Sequence, residues 1–256
     1  MIRIELFKIF RKKEFSVLMF TLLLPLAFAF LIYAGAVKSS DVSSGPLALP
    51  GLMAVTFGFF EQLGALGIIA GIMAVSTLSS EIDNHNVLLY FPRLISRKKL
   101  YVNKVLALTI AFTVWSALFL LVCAIAYFFL TYSGSAEVSG QISDISTPAW
   151  LSSMLATYVY LLFIINATLL IGAFCKPMVS ILALLGILFG SILLHPLPIV
   201  GNLLPIHYMQ VAMNHLNTVA DIPIVILNYT ISIMMSLVYI VIFAILGRRK
   251  IARLEV

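Results

Sequence analysis

Charge is what this 256-residue sequence has least of: Asp, Glu, Lys and Arg together make up 10% of it, against 62% apolar residues. Ordinary globular domains carry roughly 25% charged residues, so an aqueous fold is excluded and the apolar stretches ask for lipid as their solvent. Cysteine is nearly absent as well. Cys123 and Cys175 each sit inside an apolar stretch, which excludes a disulfide framework and a thiolate metal site and leaves both as packing residues. No G-x-x-x-x-G-K-[ST] loop is present to cradle a nucleotide, and no H-E-x-x-H pair to hold zinc. His195, His207 and His215 share one segment at spacings that match no compact ligand set, so no metal is expected there.

What the chain does have is six apolar stretches, near residues 15–37, 57–80, 105–131, 149–175, 177–197 and 223–247. Each supplies the roughly 20 residues needed to cross a hydrocarbon core about 30 Å thick. Only Lys176-Pro177 separates the fourth from the fifth. Proline removes a backbone donor and breaks the helix, so those two must form a tight hairpin. Ala34-Gly35-Ala36 superficially resembles a secretory cleavage site, but the charge-free run from Phe15 to Val37 is longer than a signal-peptide core and more spans follow, so a retained helix is expected. The expected fold class is therefore all-α: a polytopic membrane protein with six transmembrane helices in one permease-like domain over 1–256.

Orientation follows from the distribution of Lys and Arg, which are enriched in cytoplasmic flanks. Arg3, Lys8, Arg11, Lys12 and Lys13 precede the first span, and Arg93, Arg97, Lys98, Lys99 and Lys104 lie between the second and third. Lys176 joins them, as do Arg248, Arg249, Lys250 and Arg253 after the sixth, so fifteen of the sixteen basic residues fall on one side and Lys38 alone on the other. Both termini are predicted to be cytoplasmic, in a cell membrane. The outer segment 195–222 stays apolar yet contains Pro196, Pro198 and Pro205, too many for one continuous helix. A re-entrant or interfacial hairpin is expected, with Leu203, Leu204 and Pro205 as an outer gate, because broken backbone at membrane depth is tolerated only against protein or water.

Two cytoplasmic segments have functional character. In residues 1–14 a helical wheel gathers Ile2, Leu6, Ile9 and Phe10 in one arc and Glu5, Lys8, Arg11 and Lys12 opposite, the pattern of a helix in the headgroup plane. The inner loop over 81–100 has Asp83 or Asn84 to cap a short helix, apolar Val87 to Phe91, and then Pro92 before a basic run. An exposed apolar surface there fits a protein partner, with dipping into the membrane interface as the plain alternative.

Glu81, then Ser96-Arg97, then Lys104, with a proline between and an apolar span on either side, resembles the loop between the second and third spans of ABC-2 type transporter permeases. His85-Asn86 stands where that family often has Gly-Thr. The resemblance covers the whole chain in architecture and about 79–106 in motif. It implies a connecting helix before the first span and a coupling helix built from Glu81, Asp83, His85, Leu88, Tyr90, Phe91, Arg93 and Arg97, docked on a separate ABC ATPase subunit present in two copies. ATP and Mg would be held by that partner, with no cofactor in this chain. It also implies a second permease half, as homodimer or related heterodimer. No nucleic acid is expected as a partner.

On these grounds the expected function is the permease subunit of an ABC exporter moving a hydrophobic or amphipathic substrate, such as a peptide toxin, a bacteriocin or a drug. Met53, Phe57, Phe60, Tyr158 and Phe163 are candidate cavity residues. Glu61 is placed with them as a second choice, a snorkelling acid near the outer interface being the first. The rival readings are an integral membrane enzyme such as a peptidase, which needs His, Ser and acid groups converging at one depth, and an ion-coupled carrier, which needs ionisable groups at mid-membrane. Gly67-x-x-x-Gly71 and Gly186-x-x-x-Gly190 permit close helix approach and are weak markers of a dimer seam.

Overall fold

The computed structural model describes residues 2–35, 46–62, 64–83, 97–197, 199–215 and 221–252, without the side chains of 60, 62, 97 and 98. Among these residues the regular structure is helical, apart from one isolated bridge between Leu47 and Val138 that ties the segment before residue 49 to the loop between residues 132 and 147. Six helical stretches are long and apolar enough to cross a membrane: Lys13–Tyr33, Ala65–Asp83, Lys99–Tyr132, Thr147–Gly172, Pro177–Leu194 and Ile222–Ala252.

The first of them is not one smooth rod. α1 (Ile2–Phe10) meets α2 (Lys13–Phe20) at an elbow where Lys12 is extended, and a 3-10 turn at Thr21–Leu23 leads into α3 (Leu24–Tyr33). The turn has a local cause. Pro25 has no N–H to offer the carbonyl of Thr21, and the Leu24 N–H takes that carbonyl instead, tightening the helix for one turn.

The second apolar stretch departs from the sequence expectation. Residues 57–80 do not form one helix: α4 (Leu49–Gln62) ends before Gly64, whose φ of 68° closes a turn onto the Glu61 carbonyl, and α5 (Ala65–Asp83) makes the crossing. A positive φ of this kind is the natural place for glycine. α4 thus begins inside what the sequence reads as an outer connector, and buries Leu52 and Phe57 in the bundle.

α6 (Arg97–Tyr132) has 36 residues, about 54 Å of helix at 1.5 Å per residue, so it projects beyond any hydrocarbon core. Trp115 fills the centre of the bundle between Phe112, Phe119 and Phe57, and its indole N–H donates to the Leu18 carbonyl at 2.9 Å, which locks α2 onto α6. α7 (Thr147–Gly172) packs on α4, α5 and α10, and the break at Lys176-Pro177 turns the chain into α8 (Pro177–Leu194) as expected. Gly67 and Gly71 face α8, where a Cβ would meet Leu188 and Leu184. That pair therefore seats a contact within one chain, which removes it as a mark of a dimer seam. Gly186 and Gly190 have open space around them.

α9 (Pro205–Asn214) and α10 (Ile222–Ala252) pack side by side, with Ser232 donating to the Pro205 carbonyl at 2.9 Å and Tyr239 to the Leu203 carbonyl at 2.8 Å. Tyr239 lies about 25 Å along α10 from Ile222, so the chain between α8 and α9 runs beside the middle of α10. At the opposite end of α10, Gly247 lets the Tyr101 hydroxyl of α6 approach so closely that any Cβ would collide with it. Gly247→Val should therefore destabilise the protein by about 1–3 kcal/mol, the usual range for overpacking, read as a lowered midpoint of thermal unfolding. Tyr101→Ala in the same background should recover part of it, since both the phenol oxygen and the ring carbon that bears it occupy the place of the added Cβ.

A buried ion-pair cluster where three helices meet

Lys104 is the centre of the candidate site. It stands two turns into α6, is 1% exposed, and would not survive there as an unpaired cation. Its Nζ lies 2.7 Å from Glu81 Oε2, 3.3 Å from Glu5 Oε2 and 2.6 Å from the Thr77 carbonyl, so its three N–H donors each have an acceptor. Glu81 belongs to the last turn of α5 and Glu5 to the middle of α1. One ammonium group thereby holds together helices whose residues lie far apart in the sequence.

Two further lysines complete the arrangement. Lys8 Nζ approaches Glu81 Oε1 at 3.8 Å from a half-exposed position. Lys12, at the elbow between α1 and α2, donates to the Ser76 carbonyl at 2.6 Å and reaches its hydroxyl at 3.4 Å. Burial holds Lys12 below the usual lysine range, with Glu81 opposing that shift. The carbonyls of Ser76 and Thr77 are reached by side chains because they lie on the side of α5 that faces α1 and α6, one turn before Glu81.

This geometry corrects the helical-wheel expectation for the first segment. Glu5 and Ile9 are the buried face of α1, whereas Ile4 and Phe7 are more than half exposed. Glu5 and Lys12 turn inward beside Ile9 while Arg11 faces out, because the partners of Glu5 and Lys12 lie on α6 and α5, which a wheel drawn on one segment does not contain. The exposed apolar arc has the character needed to lie against lipid. Arg11 covers one part of it, its guanidinium 4.3 Å from the Phe7 ring.

Glu81 is in the cluster and does meet a basic residue of α1, although its shortest ion pair is to Lys104, which the sequence reading uses only for orientation and register. Asp83 ends α5, exposed. His85, Leu88, Tyr90, Phe91 and Arg93 lie outside the described residues, and Arg97 opens α6. Phe57 is packed in the core with Trp115 and Phe119, flanked by Met53 and Tyr158, whose hydroxyl pairs with that of Thr113 at 2.7 Å. Phe163 belongs to a separate group with Tyr160. The proposed cavity residues are thus divided between two packed clusters in this conformation, and Phe60 has no described side chain. Pro205 is buried against α10, while Leu203 is exposed. Glu61 is 9% exposed at the helix break, in electrostatic reach of Tyr160 at the midpoint of α7.

His195 and His207 come together, His207 Nδ1 lying 2.8 Å from the His195 carbonyl. Among the described residues no three His, Cys, Asp or Glu groups are placed to hold a metal ion.

A bundle of six membrane-length helices, pinned at one end by a buried ion-pair cluster, defines a polytopic α-helical membrane protein. Within that class, the chain belongs to the family described as protein of unknown function (DUF2705), which matches residues 51–256 and so includes Glu81 and Lys104 but not Glu5. Comparison with curated proteins and with solved structures gives no match.

Proposed function

We propose that this chain is the permease subunit of an ABC exporter, moving a hydrophobic or amphipathic substrate with ATP hydrolysed by a separate subunit. The observation that supports it is the Lys104 cluster. It joins α1 and the inner ends of α5 and α6 into one unit, and the loop between α5 and α6 is the one that the ABC-2 resemblance assigns to the ATPase. A push on that loop would reach α1, α5 and α6 together, because Lys104 ties each to the others with charge-assisted hydrogen bonds. Motion would then pass into the bundle as tilting of whole helices. No covalent chemistry is assigned to this chain.

The segment between α8 and α10 fits the same reading. Leu203 and Pro205 offer their carbonyls to hydroxyls well along α10, which supports a re-entrant hairpin whose backbone is satisfied by protein within the membrane. Leu203, Leu204 and Pro205 then form an outer gate over a cavity shared by two halves. The orientation is testable separately. Reporter fusions at Ser43, Ser139 and Asn217 should read outside, and fusions at Asn84 and after Val256 inside. An outside signal at Asn84 would reverse the assignment of every loop. The functional reading itself is tested by whether the chain carries a P-loop ATPase through purification and stimulates its turnover.

A further inference from the structure

Glu61 has surroundings that packing alone does not explain. It lies at the C-terminal end of α4, with Oε1 3.7 Å from the point where a Cβ on Gly67 would stand and the Leu188 side chain of α8 2.9 Å from that same point. The carboxyl group is thus wedged between α5 and α8, deep in the bundle. Among the described residues its Oε2 has no hydrogen-bond partner and no basic side chain pairs with it. The end of a helix is the wrong place for an acid, since the free carbonyls there already carry partial negative charge. Both terms favour a cation at this point.

The neighbouring side chains are suited to the rest of such a ligand. Tyr160, whose hydroxyl pairs with that of Ser191 at 3.4 Å, stacks on Phe163 at 5.7 Å between ring centres. Phe163 in turn meets Tyr239 at 5.7 Å and Phe243 at 5.8 Å on α10. A run of ring faces leading away from an acid offers apolar contact together with attraction for positive charge.

We infer that Glu61 is the counter-charge that anchors a cationic group of the substrate, with the aromatic run from Tyr160 to Tyr239 receiving its apolar body. The site selects hydrophobic cations over neutral molecules of the same shape. The word substrate rests on the exporter reading, but binding at Glu61 requires no ATPase and is measured without one.

The test uses the purified full chain in lipid nanodiscs, with tetraphenylphosphonium as the cation and triphenylphosphine oxide as a neutral comparator. Saturable phosphonium binding should weaken at least tenfold in Glu61→Gln and be partly retained in Glu61→Asp, with the neutral compound unaffected. In the wild-type protein, dicyclohexylcarbodiimide should add to the Glu61 carboxyl, detected by peptide mass, and the phosphonium should slow that addition. The labelling arm needs no variant to fold. Equal phosphonium affinity in wild type and Glu61→Gln, or labelling indifferent to the phosphonium, overturns the proposal. Protection by sodium ion without protection by the phosphonium also overturns it, in favour of a coupling-ion site. Loss of ATPase association with Glu61-dependent binding intact would strike the exporter reading and leave this site standing.

Discussion

Replacing Lys104 by methionine should release α1 from the bundle. Methionine matches the length and most of the volume of the lysine stem, so the packing of α6 is preserved and the charge alone is removed. Glu5, 4% exposed, is then left as a buried carboxylate without its cation; removing one partner of such a pair costs about 3–5 kcal/mol. Glu81 is less affected, because it is partly open to solvent and keeps Lys8. The expected result is a markedly lowered thermal midpoint, with a cysteine at Ile9, buried in the intact protein, becoming open to maleimide. Combining Lys104→Met with Glu5→Gln and Glu81→Gln should recover much of the loss, since a buried cluster replaced as a whole leaves no charge stranded. A Lys104→Met protein with unchanged stability and a protected position 9 would mean that α1 is held by Ile9 and its apolar neighbours alone.

The second large effect is expected in the loop between α5 and α6. Leu88→Asp together with Phe91→Asp should leave the chain inserted and folded but abolish its association with the proposed ATPase subunit. Full burial of each side chain at an interface is worth roughly 1.5–3 kcal/mol, and an aspartate in a desolvated groove adds a further penalty. The loss should reach a hundredfold or more in affinity. Wild-type complex yield from the double variant would show that these side chains touch only lipid.

The six spans were legible because each is a long run without charge, and the α7–α8 hairpin because Pro177 cannot continue a helix. Glu81 was legible as the acid at the end of a span beside a basic segment. Lys104 was not, because its partners lie on α1 and α5, and a basic residue at a span's end carries the same signature whether it faces water or two carboxylates. The division of the second stretch into α4 and α5 was hidden for a related reason. Hydropathy averages over Glu61-Gln62, and Gly64 marks a turn only once its φ is known. A helix taken as unbroken therefore gives no sign that Glu61 is buried at a turn beside α7.

The proposed ATPase partner is open to direct measurement. The measurement is to purify the tagged chain, under mild detergent, from the membranes of the cell that encodes it and to assay the preparation for ATP turnover. A co-purifying P-loop ATPase in equal amount to the permease is expected, with turnover that disappears in the Leu88→Asp, Phe91→Asp variant and is restored by the wild-type chain. A folded chain that carries no ATPase, or an ATPase whose presence and turnover are indifferent to those two substitutions, would contradict it.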